Sequence, residues 1–347
     1  MSLTLRNTKG SPLTYTEMDD NFEYLETLSN NITGLNGTRY IFVKADGTDI
    51  ENAAELQDAY DEAKTMSPSA NNRIVVILGP GYYGFINDFE VDEDYIDIVS
   101  LDGNRSVIFT GTETISITAN DVFIKGIDVG TKNFTITSNL NLLRVENCKG
   151  GDQSFGGGFG RNPGEIVSGT FTNCIGGDSS FGANGDITGN FINCEGGNNS
   201  FSSGSGIVSG VFKNCIGGDA SFGGSISATY INCEGGDGSF IGDDGLYENC
   251  RGGTQSFGGL GPTGTYINCV GGDNSFSGDP TAPNQADGIY KYCEGGDQSF
   301  GQGFSGTLNG TLYYCRLTSG TFNTTTGTGK IRACVDGNDL FIPSLDL

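Results

Sequence analysis

The chain has no histidine and no tryptophan among its 347 residues, only 8 prolines, and 18 Lys+Arg against 42 Asp+Glu. Without histidine it lacks the side chain that most often serves as general acid, general base or metal ligand near neutral pH. Without tryptophan it lacks the strongest sugar-stacking platform, and only the 14 tyrosines could substitute. A net charge of −24 opposes docking on nucleic acid or on an anionic membrane, and suits a long, exposed, soluble surface. No stretch approaches the roughly 20 apolar residues needed to span a bilayer. The opening MSLTLRNTKGSPLTY holds no apolar core of signal-peptide length, so the expected product is made in a cytoplasm and is not inserted in a membrane.

What is abundant is glycine, 58 residues, which points to a turn-rich β architecture. The ten cysteines show how it repeats. They stand at Cys148, Cys174, Cys194, Cys215, Cys233, Cys250, Cys269, Cys293, Cys315 and Cys334, in steps of 17 to 26 residues, about one coil of a three-sided β-solenoid per step. Seven residues after each stands a phenylalanine: Phe155, Phe181, Phe201, Phe222, Phe240, Phe257, Phe276, Phe300, Phe322 and Phe341. Three residues before each lies an apolar or aromatic side chain, Val145, Phe171, Phe191, Phe212, Tyr230, Tyr247, Tyr266, Tyr290, Leu312 and Ile331. The expectation is an all-β, right-handed, single-stranded parallel β-helix of about 13 coils with short N-terminal helices. Its interior would be a column of reduced cysteines beside a column of phenylalanines.

Asparagine immediately precedes the first seven cysteines, from Asn147 to Asn268. Two inward residues three apart cannot both lie on a flat strand, and asparagine tolerates left-handed backbone. It is therefore expected at a one-residue corner, stacked into an amide ladder. Gly-Gly follows the cysteine in eight coils, from Gly150-Gly151 to Gly295-Gly296, where a missing Cβ permits a sharp turn and close approach of coils. The most variable segments, such as Gly156–Thr170 and Ser277–Ile289, are expected to be loops.

Residues 74–147 lack this signature but keep short β-rich runs, and are expected to be irregular coils leading into the regular repeats of 148–347. Residues 38–73 supply an entry strand and a capping helix. There Asn52 and Glu55 have capping-box spacing, and Leu56, Ala59, Tyr60 and Ala63 form an apolar stripe that would plug the open end. Residues 1–37 read as a separate attachment and oligomerisation segment. Thr14 and Glu17 form a capping box, Leu13 and Met18 a hydrophobic staple, and Met18, Phe22, Leu25 and Leu28 one apolar face of a helix too short to be stable alone. The polar, Gly-containing run from Ser29 to Gly37 would be a joint.

The stretch from Lys9 through Gly-Ser-Pro-Leu-Thr and Met-Asp-Asp-Asn to Phe22 resembles a short N-terminal element of phage tail fibres and other virion appendages. Ala45-Asp-Gly-Thr-Asp49, the following helix and Gly79-Pro-Gly-Tyr-Tyr83 look like the entry into the pectin-lyase-like β-helix of phage tailspikes. The resemblance implies a homotrimeric virion protein that joins other virion proteins through residues 1–37 and binds a host-surface glycan or protein receptor. In some such spikes it implies a glycan depolymerase. A non-viral β-helix adhesin is a third reading.

Chemistry is sparse beside structure. The cysteine column could bind a soft metal, but no CxxC pair accompanies it, and buried free thiols acting as small hydrophobes fit better. No cofactor is implied. Asp152, Asp178, Asp219, Asp237, Asp273 and Asp297 recur after Gly-Gly, without the spacing of calcium-binding β-rolls. A depolymerase needs two carboxylates about 5 Å apart, or 6.5–9.5 Å apart. Candidates off that ladder are Glu165, Asp186, Asp243, Asp244, Asp279 and Asp287, each in a loop-like context.

Overall fold

The computed structural model describes residues 38–346, apart from 112–114, 133, 137–139, 157–165, 183–185, 203–206, 243, 259–262, 277–284, 301–306 and 323–327. Leu13, Met18, Phe22, Leu25 and Leu28 lie outside the described residues.

The chain folds as a parallel β-solenoid. Strand β1 (Thr38–Val43) runs into helix α1 (Asp49–Thr65), which returns to β2 (Arg73–Leu78), parallel to β1 and in register with it. The helix begins earlier than its sequence suggests. Thr48 is the N-cap and forms the capping box with Glu51, so the Asn52–Glu55 pair lies inside the first turns. Asn52 is instead buried, accepting from the Gly47 amide and donating to the Tyr82 carbonyl. Leu56, Ala59, Tyr60 and Ala63 face the core as one stripe. Tyr60 is held edge-on to Phe89, and its hydroxyl oxygen accepts from the amides of Asp92 and Glu93.

From β2 onward the principal sheet adds one parallel strand per coil. Ile96–Ser100 and Phe123–Lys125 stack first, followed by the strand ahead of each cysteine. Ten turns carry a cysteine. The complete repeat thus accounts for about ten turns rather than thirteen, because the earlier strands continue the sheet without the Cys corner. Among the described residues α1 is the one helix.

Each regular turn bends at three left-handed residues. The first is the asparagine before the cysteine, with φ of 53–55° from Asn147 to Asn268, and Tyr292, Tyr314 and Ala333 take the same conformation in the last three turns. Its side chains form the ladder: Asn173 Nδ2 donates to Asn147 Oδ1 at 3.0 Å, and the links repeat up to Asn268 on Asn249 at 3.1 Å. The second bend lies five residues past the cysteine, as at Gln153 and Ala220, and the third is the phenylalanine itself, with φ of 52–58° from Phe155 to Phe300.

Left-handed backbone at a bulky residue costs about 1–2 kcal/mol. Fully burying a phenylalanine returns about 1.5–3 kcal/mol, and these eight are at most 1% exposed. Almost every bend also keeps its amide bonded to a neighbouring coil. Phe181 N donates to Ser154 O, and Asn173 N to Ile192 O.

The Gly-Gly pair does not itself supply left-handed backbone; it makes room. A Cβ on Gly235 would lie 2.6 Å from Ser239 Cβ, and one on Gly236 would lie 2.0 Å from Asp219 Oδ1 of the coil below. That oxygen accepts the Asp237 amide at 2.8 Å. The same contact runs from Asp178 on Asp152 to Thr254 on Asp237, with Asn198 serving like an aspartate, and recurs at Asp297 on Asp273. Asp152, Asp178, Asp219, Asp237 and Asp273 are therefore inter-coil acceptors. Gly236→Ala should cost more than about 2 kcal/mol in denaturant unfolding, through overpacking against a hydrogen-bonded carboxylate. A change below about 0.5 kcal/mol would show that the coils are not packed this closely.

Candidate functional site

Most of the residues that the sequence pattern singles out line the interior. All ten cysteines are free, and each is at most 1% exposed. Their thiols point at backbone carbonyls, as Cys215 Sγ does at Phe191 O, 3.3 Å away. Phenylalanines Phe155 to Phe300 stack at 4.6–4.9 Å with near-parallel rings. They meet edge-to-face a second column running from Phe171 to Tyr290.

Phe322 is buried but tilted 45° from Phe300. Phe341 does not join the column; it is 57% exposed on the closing strand Phe341–Asp346. The reason is local. Asp336 Oδ1 accepts the amides of Asn338 and Leu340, turning the chain back antiparallel to Lys330–Val335 before a corner can form.

The outer surface of the principal sheet is the accessible, regular part of the molecule. From Asn190 to Tyr313 each rung shows one apolar and one polar side chain, and the two exchange columns at every step: Asn190 and Ile192, Val211 and Lys213, Thr229 and Ile231, Leu246 and Glu248. Thr265 and Ile267, Ile289 and Lys291, then Thr311 and Tyr313 continue the alternation. At its C-terminal end the asparagine ladder gives way to Tyr292 and Tyr314, 57% and 56% exposed, with rings stacked at 5.1 Å. Lys291 Nζ lies 5.9 Å from the centre of the Tyr313 ring. This exposed tyrosine cluster offers flat aromatic surface beside hydrogen-bonding groups, which suits a sugar ring or an extended peptide.

At the N-terminal end the same face carries a groove of about 450 Å³, floored by Val75, Val99 and Phe123 and bordered by Asp102 and Lys125. Beside it Arg73 clamps two coils. Its guanidinium donates to both Asp97 carboxylate oxygens at 2.6 and 2.8 Å and to Asp121 at 2.9 Å. The Asp97 bond in particular raises the Arg73 pKa. Asp97 also accepts the Phe123 amide, so this network replaces ladder bonds and is structural.

Of the candidate catalytic carboxylates, each described one is engaged in a hydrogen bond to a neighbouring coil. Glu165, Asp243 and Asp279 lie outside the described residues. Asp186 Oδ1 accepts the Ile207 amide, Asp244 accepts from the Thr263 hydroxyl, and Asp287 accepts from Asn309 Nδ2 at 2.8 Å. Asp244 and Asp287 belong to a polar column six residues before the last nine cysteines, Ser168, Thr188, Ser209, Ser227, Asp244, Thr263, Asp287, Asn309 and Thr328, which the sequence reading missed. Its signal was a short polar residue followed by a small one in each of those nine turns. Among the described residues no group of three or more His, Cys, Asp or Glu side chains could hold a metal ion.

No family model, no curated protein and no solved structure matches the chain.

Two predictions follow from the interior. Burial pushes the Cys148 thiol up to about 12, and raises Cys194, Cys215 and Cys293 for the same reason. A thiol with a raised folded pKa keeps its proton longer when folded, so its contribution is complete below the ordinary value of 9.0 and lost as pH rises above it. Unfolding titrations from pH 8 to 11 should show falling stability. Ellman's reagent should find ten thiols only after denaturation; rapid native labelling would contradict the burial. Secondly, the Tyr266 hydroxyl is buried with no hydrogen-bond partner among the described residues. Tyr266→Phe should leave stability unchanged or raise it by about 1 kcal/mol, and a loss would reveal a partner.

Proposed function

We propose that this protein is a structural virion appendage of the tail-fibre or tailspike kind, attached through residues 1–37 and presenting a right-handed, pectin-lyase-like β-helix for binding to a host surface. The observation that carries the reading is the exposed tyrosine cluster at Tyr292, Tyr313 and Tyr314. It presents stacked aromatic rings outward on a rod whose corner asparagines and aspartates are committed to holding coils together. Right-handedness accords with the parallel β1–α1–β2 crossover, a connection that is right-handed in almost all proteins.

The N-terminal resemblance supports a place on the virion, and the apolar helix face expected there, which would need a partner to be stable, suits attachment. Three copies side by side accord with the spikes it resembles and with the flat outer sheet. The ligand class favoured by tyrosines next to a lysine is a surface glycan. Depolymerase activity on the same scaffold is the competing reading, and the engagement of Asp186, Asp244 and Asp287 as ladder acceptors weighs against it.

The experiment is a panel of bacterial surface polysaccharides probed for both binding and chain cleavage by the purified protein. Binding without release of oligosaccharides is expected, weakened at least tenfold by the Tyr292→Ala, Tyr314→Ala double variant with its thermal unfolding unchanged. Oligosaccharide release abolished by a single carboxylate substitution would overturn the reading. For attachment, deleting residues 1–37 should leave a folded β-helix that no longer joins the virion; normal incorporation would refute that part.

A further inference from the structure

The outer face of the principal sheet changes character at its N-terminal end. From Asn190 to Tyr313 each rung offers one apolar and one polar residue, and the rungs of Arg144 and Thr170 are polar at both positions. Over the first four rungs the outward positions are Tyr40 and Phe42, Val75 and Ile77, Asp97 and Val99, and Phe123 and Lys125. Asp97 is buried under the Arg73 clamp. What remains beside Lys125 is an apolar surface of six side chains, with Tyr40 and Phe42 40% and 48% exposed and Val75, Ile77, Val99 and Phe123 half-buried, opening into the groove over Val75, Val99 and Phe123. A concentrated patch of this kind on a strongly acidic, soluble chain calls for an occupant.

We propose that residues 14–28 of this same chain lie across that patch as an amphipathic helix, with Met18, Phe22, Leu25 and Leu28 seated on Tyr40, Phe42, Val75, Ile77, Val99 and Phe123.

Three observations select this occupant. The first is connection: the segment enters the fold at Thr38, and β1 itself contributes Tyr40 and Phe42. From Leu28 to Thr38 the chain can span at most about 35 Å, enough to reach every part of the patch. The second is length. Met18 to Leu28 covers about 15 Å of helix, and four rungs at about 4.8 Å spacing cover about 14 Å. The third is charge. Residues 14–28 carry Glu17, Asp19, Asp20, Glu23 and Glu26 and no cation. Exposed Lys44 flanks the first rung and exposed Arg144 lies over the Phe123 ring at the last, in a chain where cations are scarce. The acidic side of the helix thus meets basic residues at both ends of the seat.

This inference takes its helix from the attachment reading but concerns a contact within one chain. The free protein would store its attachment helix on its own rod, and incorporation into a virion would exchange that contact for another. The two can fail separately, since loss of virion incorporation on truncation does not depend on where the helix rests beforehand.

The test uses the full chain with pairs of introduced cysteines, against ten native thiols that are buried. Met18→Cys combined with Val75→Cys, or with Phe123→Cys to allow for either helix direction, should oxidise to an intrachain disulfide, visible as faster migration on a non-reducing denaturing gel. Met18→Cys with the distant outward Val211→Cys should not. In parallel, deleting residues 1–37 should raise fluorescence of an apolar-surface dye severalfold, and Val99→Asp in the truncated protein should reverse the rise. Disulfides between two chains would overturn the proposal in favour of a second copy as occupant. Absence of either patch disulfide, with dye binding equal in full-length and truncated protein, would overturn it outright.

Discussion

Everything in this structure depends on one constraint: each coil must superpose on the next with a rise of about 4.8 Å, so that equivalent atoms in successive turns can touch. The Asp219 carboxylate accepts the Asp237 amide only because Gly236 has no side chain in the way. Phe240 stacks on Phe222 at 4.8 Å only because both take the same left-handed backbone. Strain that a single phenylalanine would bear poorly is tolerable when its ring is buried between two others and its amide is bonded to the coil below.

The same constraint shapes the ends. A repeating stack exposes strand edges that invite further pairing, and the molecule treats them differently. At the C-terminal end Asp336 turns the chain back, and an antiparallel strand containing Pro343 covers the last rung, with Ile342 and Leu345 packed against the core and Phe341 turned outward. At the N-terminal end α1 packs Leu56, Tyr60 and Ala63 against the first coils, while the outer face from β1 to Phe123 keeps Tyr40 and Phe42 exposed.

Much of this was legible in the sequence because repetition makes a weak signal strong. The Cys and Phe spacing gave a parallel solenoid, and asparagine between two inward positions gave its corner. The stripe of α1 was legible from Leu56 to Ala63, although its cap was not, since Thr48 and Asn52 offer competing capping boxes and Asn52 proved more useful buried. Phe341 kept the spacing of its nine predecessors, but the turn held by Asp336 took the place of a corner, so spacing alone misplaced it. The left-handed phenylalanines were not legible, because isolated residues of that size avoid such backbone. The ladder role of Asp244 and Asp287 was hidden because serine, threonine, asparagine and aspartate exchange within their column.

The most direct test of this account is amide hydrogen exchange across residues 174–300. The Gly-Gly-Asp corners are polar and glycine-rich, and in an ordinary loop their amides would exchange within seconds. Here Gly196 donates to Ile216 O, Gly197 to Gly177 O and Asn198 to Asp178 Oδ1. The account requires these amides to be protected to the same degree as those of the strands carrying Phe191 and Phe212, exchanging only when the whole stack opens. Protected strands with freely exchanging corners would contradict it.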